Sequence, residues 1–279
     1  MGRFIAVLLF VALLVPAVFV GRAWSHAAVR REVSNGALSL TAPTSEAERA
    51  MKVQARRARL WRLGGLAAAL IGSVAALIML AESAVFLWPG LLIGGLLAGV
   101  LLGELTRVRP TWASRAAARR PQSDLIDRPL PAIGRLAALG LVAFAVLAMG
   151  QTWAQELRIA AGVGLGGWLI VEIILERLAR RVAPSGSEDV PVDDALRINS
   201  AHVAVGAGSV LTLLVLSGLL FVTGVRVGDS ATGADLAPVA LIAGAFGALV
   251  GALVVGGFLV KWLAPVRWAA AAWGTSQRG

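Results

Sequence analysis

Two stretches, GGLLAGVLLGELTR (Gly94–Arg107) and GGWLIVEIILERLA (Gly166–Ala179), carry the reading of this chain. Each opens on a glycine pair, runs apolar, and reaches a glutamate nine residues after the second glycine: Glu104 in one, Glu176 in the other, 72 positions apart. In water a glycine inside a helix costs about 1 kcal/mol against alanine. In lipid, where burial of apolar surface gives no drive for association, a glycine lets two backbones approach and gain packing contacts. Gly94, Gly95, Gly166 and Gly167 are therefore expected to mark helix crossings inside a membrane.

Composition agrees. Of 279 residues, 58% are hydrophobic and 15% charged, and the mean hydropathy is +0.79; soluble domains carry about 25% charged residues. Seven apolar spans are predicted: 4–20, 63–81, 86–105, 133–150, 159–175, 202–222 and 238–262. Most come close to the ~20 residues that cross ~30 Å of hydrocarbon. The expected fold is an all-α, polytopic helical bundle forming a single membrane domain. Cysteine is absent and only His26 and His202 supply imidazole, which removes disulfides, thiolate metal sites and cysteine nucleophiles.

The basic residues are unevenly placed. Residues 21–62 hold nine, 106–132 with Arg135 hold seven, 176–201 hold four, and the tail from Lys261 adds three. The alternate connections hold only Arg3, Arg158 and Arg226. By the positive-inside rule the N-terminus is outside, the C-terminus inside, and the large connections cytoplasmic. The net charge of +10 then reads as contact with anionic lipid head groups rather than with nucleic acid. Ser25-His26-Ala27 also has the small-x-small look of a signal-peptide cleavage site. Cleavage would leave eight basic residues outside, directly before the second span, so an uncleaved anchor at 4–20 is preferred. Trp24, Trp61, Trp88, Trp153 and Trp262 fall near span ends, as an interfacial belt does.

A duplication underlies the glycine pairs. "RLGGLAAAL" from Arg62 is matched by "RLAALGLVA" from Arg135, and Arg109 and Arg181 keep the 72-residue offset. The organisation expected is an anchor (4–20), a basic cytoplasmic stretch (21–62), hairpin 1 (63–105), hairpin 2 repeating it (133–175), a looser third hairpin (202–262) and an interfacial tail (263–279). The hairpins share one orientation, so these are parallel repeats. Residues 41–59 read as a capped, basic helix running into the second span.

Three acids are candidate functional residues. Glu104 and Glu176, at the inner ends of their spans, are expected to pair with Arg107, Arg109, Arg177 and Arg180 at the boundary; a cation or proton site is the alternative. Glu172 lies one turn deeper than Glu176 on the same face, and its repeat equivalent is Val100. A glutamate within a span is a functional hypothesis by default, whereas one turn of depth, ~5.4 Å, also permits snorkelling. In the loop before the sixth span, Glu188, Asp189, Asp193 and Asp194 lack the spacing of a calcium loop, and Asp193 or Asp194 is expected to cap the helix that follows. Nucleophile-elbow, zinc-protease and Walker motifs are missing. No catalytic residue, cofactor or metal is expected.

The Ala/Arg/Val/Gly-rich composition, the "LLGELTRVRP…ARRP…DLIDRPLP" stretch and the "VDDALR" run resemble uncharacterised polytopic integral membrane proteins of actinobacteria, over roughly residues 90–200. The resemblance implies a bacterial plasma membrane and no particular activity. The leading expectation is a non-catalytic protein acting through membrane-protein partners or a homo-oligomer, as a transporter accessory subunit or scaffold. The alternative is a small permease using Glu172 as a deep acidic site.

Overall fold

The computed structural model describes residues 15–28, 45–80, 88–106, 125–150, 155–180, 190–230 and 236–263, and every regular element among them is helical. In chain order these are α1 (15–28), α2 (Ser45–Leu80), α3 (Trp88–Leu105), α4 (Pro129–Leu147), α5 (Gln155–Ala179), α6 (Val190–Ser230) and α7 (Ala237–Trp262), with a single 3₁₀ turn, Ala148–Gly150, closing α4. Four stretches are long and apolar enough to cross a bilayer: Pro129–Leu147, Leu157–Ala179, Asp193–Asp229 and Ala237–Trp262, with Leu91–Leu105 a shorter apolar helix. The expected anchor is described only from residue 15 and continues to residue 28. Arg107, Arg109, Trp153, Arg181, Glu188, Asp189 and the tail from 264 lie outside the described residues.

Local sequence sets the helix ends. α4 and α7 each begin with proline at a first-turn position, where a missing N–H costs nothing and the fixed φ suits the helix. Lys261 in the last turn of α7 and Arg177 in that of α5 face the negative end of the helix dipole. α2 starts at Ser45 and runs unbroken for 36 residues, about 54 Å at 1.5 Å per residue. Its basic first half and apolar second half thus form one rod. α6, at 41 residues, begins twelve residues before the predicted span.

The bundle is built around α6. Residues 197–213 of this helix are buried on every side, enclosed by α7, α5, α4 and α3. Leu101, Leu175, Val171, Ala201, Ala204, Phe258 and Leu259 join one continuous core there. α2 packs mainly on α3, and this crossing depends on small residues: a Cβ on Gly95 would sit 2.7 Å from the Gly65 carbonyl, and one on Gly99 would sit 2.5 Å from the Trp61 carbonyl. α1 lies against α7, where a Cβ on Gly257 would come within 2.6 Å of the Val18 carbonyl. The outward faces are apolar, with Ile71, Leu136, Leu139, Val163, Leu169 and Val239 all exposed. Side chains of this kind facing away from a filled core suit a helix bundle solvated by lipid.

Hairpins 1 and 2 differ in packing. α2 and α3 hold each other closely, whereas α4 and α5 each touch α6 more than they touch one another. The second glycine of each pair is in contact, Gly95 on α2 and Gly167 within 2.6 Å (from an added Cβ) of Leu211 on α6. Gly94 and Gly166 face open space. The second glycine of each pair makes the contact, against different partners.

Candidate functional site

Glu172 stands on α5 with its carboxylate facing α4. Arg135 Nε donates to its Oε1 at 2.8 Å and Arg135 Nη2 to its Oε2 at 3.2 Å, while Trp168 Nε1 donates to Oε1 at 3.2 Å. The pairing is bidentate, the geometry in which a guanidinium fits a carboxylate best. Trp168 is fixed by its fit over Gly134, where any Cβ would collide with the indole ring. Thus the residue before Arg135 seats the indole that helps to orient Glu172. The pair lies outside the packed core: the side chains of Arg135 and Glu172 are 48% and 32% exposed.

Glu172 and Glu176 line a groove of about 460 Å³ together with Ile173, Arg177 and Arg180. Glu176 pairs with Arg180 one turn on. Arg177 instead donates to the Leu105 carbonyl at 3.0 Å, supplying one of the carbonyl partners that the end of α3 lacks within its own helix. Arg62 does the same for the end of α7, donating to the Leu263 carbonyl at 2.8 Å. Sequence alone treats Arg177 as a carboxylate partner; the exposed carbonyls of a helix end compete for it.

Glu104 accepts a 2.6 Å bond from the Ser200 hydroxyl on α6, so it ties α3 to the central helix. Around this point α6 carries a buried polar run that sequence reasoning assigns to a loop and a span edge. Asp193 and Arg197 are both buried and pair at 2.7 Å. The expected helix cap at Asp193 is therefore corrected: α6 starts at Val190, and Asp193 sits inside its first turn, bound to Arg197 one turn later. His202 is 2% exposed, binds the Ile198 carbonyl through Nδ1 at 2.8 Å, and stacks on Trp262 with centroids 3.9 Å apart.

Trp262 corrects the interfacial belt as well. It is 1% exposed and packs among His202 and Phe258, because α1 covers this end of α7. Trp24 of α1 reaches Phe258 at 4.9 Å, and Lys261 Nζ donates to His26 Nδ1 at 2.5 Å. Short polar side chains deeper in α6 bond back along the helix, Thr212 to the Gly208 carbonyl, or across to α7, Ser217 to the Ala245 carbonyl. Such bonds remove polar groups from an apolar interior.

No three His, Asp or Glu side chains come together as a metal-ligand set among the described residues. Comparison with known proteins finds no match to this chain among family models, curated proteins or solved structures.

Proposed function

We propose that this chain is a non-catalytic integral membrane protein of a bacterial plasma membrane that acts through partner membrane proteins, as an accessory subunit or scaffold. The observation that supports the reading is the all-round burial of α6 over residues 197–213. A solute path between hairpins needs polar groups aimed into a cavity, whereas here Glu104, Ser200, His202, Thr212 and Ser217 are engaged with helix neighbours. The 23-to-3 division of basic residues supports an N-out, C-in orientation.

The second reading, a permease working through Glu172, has one observation in its favour: the carboxylate opens into a groove rather than into packed core. Against it, Arg135 and Trp168 already hold both carboxylate oxygens. Proteoliposomes distinguish the two. The partner reading predicts proton and cation flux equal to protein-free vesicles, and chemical crosslinking in native membranes at fixed stoichiometry to a second membrane protein. Flux that vanishes in Glu172→Gln would establish the permease.

A further inference from the structure

Beside the Glu172 groove, on the outer surface of the α4–α5 pair, lies a second one of about 550 Å³ whose walls include Arg128, Pro131, Arg135, Leu136, Leu139 and Leu175. Arg128 flanks the start of α4 and is exposed, and Arg135 follows seven residues later, two turns along the same face and about 10 Å further along the helix. Leu136 and Leu139 continue the wall and are 68% and 63% exposed. One groove thus has a cationic mouth at the end of the bundle and an apolar floor leading toward its middle.

From this juxtaposition we propose that the α4–α5 groove is a binding site for one anionic phospholipid, with the headgroup phosphate at Arg128 and Arg135 and an acyl chain along Leu136 and Leu139. Charge complementarity names the occupant. Four arginines (128, 135, 177, 180) and two glutamates (172, 176) line the two adjoining grooves, a net excess of two positive charges where α4 begins and α5 ends. A basic pocket between helix ends fits an anionic head group. A water-soluble anion would find the same guanidinium groups but gain nothing from the leucine floor, whereas each buried CH₂ of an acyl chain contributes to binding. The pairing of Arg135 with Glu172 holds its guanidinium in the groove wall, away from the alternative of folding back to the surface. The proposal rests on the chain lying in a bilayer and is independent of whether it works through partners.

The test is native mass spectrometry of the purified full chain in detergent, titrated with phosphatidylglycerol or with phosphatidylcholine of the same acyl composition. Phosphatidylglycerol is expected to bind in preference, and Arg128→Gln and the pair Arg135→Gln/Glu172→Gln each to weaken it about fivefold. Arg128→Lys should recover most of the loss, and Leu139→Gln should weaken both lipids. Thermal melting of each variant without lipid separates a lost site from a lost fold; Arg128→Lys and Leu139→Gln bear on the claim even if the double variant unfolds. Equal binding of the two lipids, or unchanged binding in the arginine variants, overturns the proposal. Displacement of phosphatidylglycerol by millimolar inorganic phosphate overturns it too, in favour of a plain anion site.

Discussion

Arg197 and Asp193 form an ion pair with side chains 2% and 1% exposed. Ion pairs buried this fully gain Coulomb energy but lose hydration, so the intact pair contributes little net stability while its disruption costs a great deal. Arg197→Met alone should therefore destabilise the bundle by about 3–5 kcal/mol, whereas Arg197→Met with Asp193→Leu should lie near wild type or above it. Unfolding in graded dodecyl sulfate, followed by circular dichroism, reads both. The Arg135–Glu172 pair should behave differently. Both side chains are about a third exposed or more, so a double-mutant cycle there should return a coupling of about 0–1 kcal/mol. Charges at these positions were legible in the sequence; their partners were not. Arg135 and Glu172 are 37 residues apart and Glu104 and Ser200 are 96 apart, so nothing in local spacing joins them. His202 and Trp262 are likewise brought together by the antiparallel packing of α6 and α7.

At the scale of the helix, the glycine periodicity could be read for its purpose but only half of it for its position. A pair such as Gly94-Gly95 announces a close crossing, yet consecutive helical residues point about 100° apart, and only one can face a given neighbour. The structure chooses Gly95 and Gly167. Gly95→Leu should cost about 1–3 kcal/mol, since the side chain must push α2 away from α3. Gly94→Leu, facing open space, should stay within about 0.5 kcal/mol of wild type. The same unfolding measurement compares them. α6 was the harder element to read. A helix buried all round has no amphipathic stripe to reveal its surroundings, and α6 begins at Val190, ahead of the helix start expected at Asp193 or Asp194.

For the molecule as a whole, helical class and membrane character were plain from composition, because a chain with 58% hydrophobic residues has too little polar surface to cover a soluble core. Seven helices emerge from the described residues, and four of them are long and apolar enough to cross a bilayer. The sequence was silent on which helix stands in the middle, since that depends on contacts between hairpins rather than within them. The proposed orientation rests on the charge distribution and has a direct check. The chain has no cysteine, so Asp229→Cys and Arg180→Cys, both exposed and at opposite ends of the bundle, give clean single labels. A membrane-impermeant maleimide applied to intact cells should modify Asp229→Cys and spare Arg180→Cys; the reverse would invert the topology.

The proposed function has the bundle filled around α6, with no path for ions through it. Its most direct test is proton and cation flux in proteoliposomes containing the wild-type chain or Glu172→Gln. The packing of α6 predicts traces from both that coincide with protein-free vesicles. Flux through the wild type that disappears in Glu172→Gln would contradict it and turn the Glu172 groove into a transport pathway.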